Sequence, residues 1–241
     1  MKQRLDIEMV RRGLVTSRSQ AESYIRLGKV IVDDRTIAKP GVFVIPDVKI
    51  ELTSENQYVS RAGLKLESVA EKLKLDFTNK VVLDVGSSTG GFTDFALRNS
   101  AKKVYAVDVG TDQLHPSLCR DNRIELHEKT DIRDFYMDET PDVVVIDVSF
   151  ISLRDVLPHI YESLSGDKTQ IVAMVKPQFE AGKGQTNKGV IKNDSMRRQI
   201  LRDFEDWSRK YFVISDKRDS DVAGAKGNQE RFYLLERLVK R

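Results

Sequence analysis

The chain has 241 residues and a net charge of +3, with 40 Lys and Arg against 37 Asp and Glu, so attraction to nucleic acid has to come from local clusters rather than overall charge. Its single cysteine, Cys119, excludes an intrachain disulfide and a cysteine-based zinc site, and its three histidines are scattered, so no metal is expected. No apolar run approaches the ~18 to 20 residues that span a bilayer, and the segment from Met1 to Asp6 lacks a signal-peptide core; a reducing cytoplasm is the expected setting, with no membrane partner.

The first fifty or so residues have a rhythm of their own. One helix carries Leu5, Met9 and Val10 on one face and stops at Gly13. A second starts at Ser17, with Gln20 three residues on as in a capping box, and ends at Gly28. Strand-like pieces follow, punctuated by Asp33-Asp34, Pro40-Gly41 and Pro46-Asp47, and closing with Val48 to Leu52. The polar face of the second helix shows Arg18 and Arg26, with Lys29 just beyond; by itself this is as readily a solvated surface as a binding face. Thr53 to Tyr58 is polar and short, as a linker is. The expected organisation is a small α+β domain over 1–53, a linker over 54–59, and an α/β domain over 60–241.

The second domain begins with a helix capped by Ser60 and running through Leu64, Val69 and Leu73 towards Leu75. Val81 to Val85 is the continuous apolar run of a strand covered on both faces. It contains Asp84 and turns through Gly86, Ser87, Thr89, Gly90 and Gly91 into a helix. The G-x-x-x-G-G spacing is neither a dinucleotide fingerprint nor a triphosphate loop, and Asp84 puts a carboxylate where a phosphate would sit. A cationic or amino-acid-bearing ligand such as S-adenosylmethionine suits it better. The next strand, Lys103 to Val109, carries Asp108, at the separation where Rossmann-like domains bind ribose hydroxyls. Asp131, after the segment Ile124 to Lys129, suits an adenine amino group and equally a solvated turn. Strand Val143 to Asp147, helix Ile151 to Leu164, strand Ile171 to Val175, helix Ser195 to Lys210, and strands Phe212 to Ser215 and Phe232 to Leu235 complete a doubly wound, Rossmann-like α/β pattern.

Lys65, Asp147, Lys176 and Glu230 fall at strand ends or on the first helix of this layout and share one crevice. Asp147 and Lys176 each end an apolar strand at the edge where open α/β sheets bind ligands. On its own Lys65 reads more readily as a surface lysine of an amphipathic helix, and Glu230 as an exposed carboxylate after the loop from Ala223 to Gln229. As a set they suit methylation of a ribose 2'-hydroxyl, which needs in-line positioning and removal of a proton. A second cation and partial burial favour the neutral amine of a lysine base, and the two carboxylates would orient the two ammonium groups.

Arg4-Leu-Asp, Gly13-Leu-Val-Thr-Ser-Arg-Ser-Gln-Ala21, Ile25-Arg-Leu-Gly-Lys-Val-Ile-Val32, Gly41 and the strand Val48 to Leu52 resemble the RNA-binding domain of ribosomal small-subunit protein S-four. The resemblance implies that Arg4, Arg18, Arg26 and Lys29 touch phosphates. Asp33-Asp34 stands where that family often has Asn-Gly. The motifs Val59-Ser-Arg-Ala-Gly-Leu-Lys-Leu-Glu67, Asp84 to Asp94, Ile146-Asp-Val-Ser-Phe-Ile-Ser-Leu153, Val175-Lys-Pro-Gln-Phe-Glu-Ala-Gly182 and Gly227-Asn-Gln-Glu230 are similar to the TlyA haemolysin/ribosomal RNA methyltransferase family. This implies an FtsJ-like catalytic domain with a Lys-Asp-Lys-Glu tetrad, S-adenosylmethionine as donor, and 2'-O-methylation of cytidine in ribosomal RNA or ribosomal subunits. Arg61, within the first of these motifs, joins the implied RNA contacts. Tyr58 and Ala62 depart from the tryptophan and glycine of relatives. The family name also carries a membrane-lytic reading, for which the sequence offers no spanning or strongly basic amphipathic helix. A ribosome-binding protein without activity is a further alternative.

Overall fold

The computed structural model describes residues 2–15, 17–53, 58–182, 184, 186, 189–191, 193–224 and 227–238. In chain order the amino-terminal module comprises β1 (Gln3–Arg4), α1 (Leu5–Arg11), α2 (Arg18–Arg26), β2 (Val30–Val32), β3 (Arg35–Thr36), β4 (Phe43–Val44) and β5 (Ile50–Leu52). β1 pairs with β4, and β2 pairs with both β3 and β5, all antiparallel. Ser17 caps α2 as its sequence predicts, its Oγ accepting from the Gln20 N–H at 3.2 Å. Asp33 and Asp34 form the hairpin at φ 46° and 61°, a left-handed region that Asp tolerates better than most residues. The closing strand is shorter than expected because the Val48 N–H closes a turn onto Ile45 O and the Lys49 N–H donates to Asp33 Oδ1.

Charge holds the module together as well as its core. Asp6 is fully buried and accepts from Arg4 at 3.0 and 2.8 Å and from Arg18 at 3.1 Å. Burial pushes its carboxyl up, but the two arginines together outweigh that and hold it below the ordinary value. Removing both guanidinium groups would strand a buried charge. Arg4→Ala with Arg18→Ala is therefore expected to cost the module about 3 kcal/mol, most of it recovered when Asp6→Asn is added, as read from denaturant unfolding.

The remaining elements are α3 (Arg61–Ala70), β6 (Val81–Val85), α4 (Gly91–Arg98), β7 (Lys103–Val107), β8 (Ile124–His127), β9 (Val143–Ile146), α5 (Leu153–His159), β10 (Gln170–Val175), α6 (Pro177–Glu180), α7 (Asp194–Ser208), β11 (Phe212–Asp219) and β12 (Arg231–Arg237). They build a seven-stranded sheet in the order β11-β12-β10-β9-β6-β7-β8. The strands from β10 to β8 run parallel, whereas β12 is antiparallel to both its neighbours. Residue alternation sends Val82, Val143, Val145 and Val172 into the layer containing Leu64 and Phe92 of α3 and α4. Val81, Leu83, Val144 and Ile146 enter the layer containing Val156 of α5 and Leu201 of α7. The order reverses between β6 and β9, which opens a crevice at their carboxyl ends.

Three of the elements that differ from the sequence expectation have a local cause. The helix expected over 151–164 starts at Leu153, where Ser152 Oγ accepts from the Arg154 N–H, and it widens to π-helix over Ile160–Leu164. Pro158, inside it, has no N–H to give the regular ladder. The last long helix starts at Asp194 because Asn193 Oδ1 caps it. β11 runs on to Asp219 because β12 pairs with it across a register shift between Ile214 and Asp216.

The two parts share a core: Leu5 and Tyr24 of the module lie in one apolar cluster with Leu64 and Phe95. Residues 54–57 of the expected linker lie outside the described residues. Where the chain re-enters at Tyr58, the ring lies so close to Gly63 that a Cβ there would sit 2.5 Å from its Cγ. The Val59 N–H donates to Asp94 Oδ2 at 2.8 Å. Lys29 of the module pairs with Glu67 of α3 at 2.6 Å.

Candidate active site

Two ion pairs form at the carboxyl edge of the sheet. Lys65, on α3, meets Glu230 at 2.6 Å, and both are almost fully buried. Lys176, which follows β10, meets Asp147, which follows β9, at 2.5 Å. The register brings the pairs together, because Val175 faces Arg231 across the β10–β12 ladder and Lys176 and Glu230 lie one residue beyond. Each of the four sequence-predicted residues therefore reaches the same corner. The Lys176–Asp147 contact is ionic: Asp147 Oδ1 has no hydrogen-bond partner, and the ammonium donates instead to Ser149 Oγ at 2.7 Å.

A cavity of about 360 Å3 lies beside this corner, lined among others by Gly86, Asp108, Asp131, Ile132, Asp147 and Phe150. A smaller one of about 140 Å3 adjoins it, with Gly86, Asp147 and Ser149 common to both, and is closed by Ser60, Asp84, Thr89 and Lys176. Gly86 is required by contact: at φ 79° a Cβ would lie 2.8 Å from the Asp147 carbonyl oxygen. Asp108 holds the glycine turn from one side, its two oxygens accepting from the Ser88 and Gly110 N–H groups at 2.8 and 2.7 Å, and carboxylate lone pairs remain for a ligand. Asp131 lines the same cavity, but Arg133 grips it at 2.6 Å and holds its carboxyl down at about 2.

Asp84 is fully buried. Thr93 Oγ1 donates to its Oδ2 at 2.6 Å, while its Oδ1 and the neighbouring Ser87 Oγ have no partner. Burial pushes its carboxyl up to about 7; the Thr93 bond opposes the shift and the charge of Asp147 adds to it. An orphaned buried carboxylate oxygen at a cavity wall is a receptor for a cationic ligand group. Gly90 and Gly91, expected at the ligand, line neither cavity. A Cβ on Gly91 would strike Ser60 Oγ and lie 2.9 Å from Gly63 N, so its smallness serves the approach of α3 to α4.

The expected RNA contacts are dispersed. Arg4 and Arg18 are engaged with Asp6, and Lys29 with Glu67. Arg26 is exposed on a groove shared with Asp221 and Gln229 of the second domain, and Arg61 opens α3 half-buried beside Ser60. Sequence reasoning missed the loop after Asp147. Ser149 and Phe150 line the larger cavity, and Phe150 is 92% exposed at φ 66° with its ring 5.2 Å from that of Phe179. Glu180 braces this loop by accepting from Ser152 Oγ at 2.7 Å and from the Leu153 N–H at 2.6 Å. The run Asp-Val-Ser-Phe directly after an apolar strand was the available signal. Among the described residues, no group of three or more His, Cys, Asp or Glu is placed to hold a metal ion.

Comparison with known proteins matches this architecture in both parts. Residues 58–237 match the model of the FtsJ-like methyltransferase family, and residues 3–47 match the S4 domain. The 16S/23S rRNA (cytidine-2'-O)-methyltransferase TlyA of Mycobacterium tuberculosis is 41% identical, over 96% of this chain and 89% of its own. Hemolysin A of Brachyspira hyodysenteriae is 38% identical over 98% of this chain and 100% of its own. A solved structure of a hemolysin-named protein from Streptococcus thermophilus is 36% identical with a TM-score of 0.73, covering 98% of this chain and 88% of that one. With a two-domain match this extensive, the chain belongs to the FtsJ-like methyltransferase family, in the S4-bearing group that includes TlyA and Hemolysin A.

Proposed function

We propose that the chain transfers a methyl group from S-adenosylmethionine to a ribose 2'-hydroxyl of ribosomal RNA, with cytidine as the target nucleoside. The observation that carries this reading is the Lys176–Asp147 pair at the cavities, with Lys176 lining the smaller one and Asp147 both, backed by the buried Lys65–Glu230 pair. The naming of the Mycobacterium tuberculosis relative supports the substrate class. We assign the RNA-binding domain to residues 1–53 and the catalytic domain to 60–241, joined by 54–59. The module supplies selection, because every nucleotide carries a 2'-hydroxyl and the chemistry alone cannot choose among them.

The cofactor residues present suit this donor: Asp84 would hold its cationic portion and Asp108 its ribose, and Asp131 would take its adenine. Bound there, S-adenosylmethionine supplies an electrophilic methyl on a sulfonium. Lys176 reaches the smaller cavity and, as the neutral amine, takes the hydroxyl proton; Asp147 stabilises the ammonium that results; Lys65 and Glu230 form the sealed pair behind it. Asp108→Ala is expected to weaken S-adenosylmethionine binding by roughly 1 to 3 kcal/mol, measured by calorimetry, and an unchanged affinity would remove Asp108 from the site. The whole reading is tested by mass-spectrometric mapping of 2'-O-methyl groups in ribosomal RNA from cells with and without the protein. Identical maps would overturn it. Among the described residues no helix is long and apolar enough to cross a membrane, so nothing in their helices favours the lytic reading.

A further inference from the structure

We propose that Ser149 is a positioning residue that aims the Lys176 amine at the reacting hydroxyl, an inference that rests on the function proposed above. A lysine on a flexible four-carbon stem is a poor base unless its lone pair is fixed in direction. Asp147 attracts the amine by charge, but its 2.5 Å contact lies outside hydrogen-bond geometry, so it does not fix the rotation by itself. Ser149 Oγ, 2.7 Å from Nζ, provides the directional bond. With one N–H committed to Ser149 and a second drawn to Asp147, one tetrahedral position of the neutral amine is left over for the cavity that Lys176 lines.

The position of Ser149 is itself built rather than incidental. It lines both cavities, so it stands where donor and acceptor groups have to meet. Its loop is fastened to the segment after Lys176 by the Glu180 bonds to Ser152 and Leu153 and by the contact of Phe150 with Phe179. Relative movement of the two segments that separated Ser149 from Lys176 would have to disturb these contacts as well. In the step, the 2'-oxygen forms a bond to the methyl carbon as the sulfur–methyl bond breaks. The hydroxyl proton passes to Lys176, and Ser149 neither gains nor loses one.

The test uses the full chain with Ser149→Ala and Ser149→Thr, and ribosomal RNA from cells lacking the protein. Ser149→Ala is expected to lower the single-turnover rate about tenfold to a hundredfold, with S-adenosylmethionine affinity and the half-saturating RNA concentration unchanged within about twofold. Ser149→Thr, which keeps the hydroxyl, is expected to restore most of the rate. A Ser149→Ala rate within about twofold of the parent, a matching loss of cofactor affinity, or a threonine variant no better than alanine would each overturn the proposal. If the unaltered chain transfers no methyl to RNA, the function proposed above fails. Ser149 is then judged by the nitrogen-15 signal of the Lys176 ammonium: slowed proton exchange that is lost in Ser149→Ala supports the contact, and exchange indifferent to the substitution overturns it.

Discussion

Replacing Lys176 by alanine is expected to lower single-turnover methyl transfer by about a thousandfold, the middle of the range for removing a positioned general base, or about 4 kcal/mol of barrier. Cofactor affinity should stay near that of the parent, because Lys176 contacts Asp147 and Ser149 and not Asp108 or the orphaned oxygen of Asp84. That split separates a group acting on the hydroxyl from one that holds the donor. Lys65 cannot take over, because its ammonium is buried against Glu230 and lies along neither cavity. A variant that kept most of the parental rate would show that the proton leaves by another route.

The second large effect concerns Asp84 and is read as stability against pH. Its folded carboxyl stands at about 7, above the ~3.9 of a free aspartate. Between those values the folded chain holds a proton that the unfolded chain has released, so the contribution of Asp84 is full below the lower value and is lost as pH rises through the upper one. At pH 8 the penalty of the buried charge is on the order of 4 kcal/mol. Asp84→Asn can keep an oxygen for the Thr93 hydroxyl while carrying no charge. It is expected to match the parent in stability near pH 4 and exceed it progressively up to pH 7, then hold a constant margin. Parallel stability curves for the two chains across that range would show that Asp84 does not titrate there. The same substitution should weaken binding of a cationic donor, so stability and affinity are expected to move in opposite directions.

Much of this site was legible because its local signals are strong. The apolar runs ending at Val85, Val107, Ile146 and Val175 read as covered strands, and a strand end in an open sheet is where ligands bind; this placed Asp108, Asp147 and Lys176 at the crevice. Lys65 and Glu230 were harder. Each looks like a surface residue in its own stretch, and only the antiparallel return of β12 beside β10 makes them a buried pair. The turn glycines illustrate the reverse limit. Gly86 and Gly91 are alike in sequence context, yet one clears the Asp147 backbone and the other clears α3. The arginines of the module carried a similar ambiguity, since nothing local distinguishes a guanidinium free for phosphate from one committed to Asp6.

The fastening of the module to α3 has a consequence for which targets the enzyme accepts. Lys29 on Glu67 ties the module to the helix that carries Lys65, Tyr58 packs on Gly63 of the same helix, and the Val59 N–H on Asp94 ties the chain between the two parts to α4. Under the function proposed above, any RNA the module grips is therefore held at a fixed offset from Lys176. On that reading such a protein would measure its substrate as a ruler does, by the span between where the backbone is gripped and where a sugar is presented. Two RNAs of unrelated sequence would be equivalent to it if that span were the same, and adjacent nucleotides of one RNA would not.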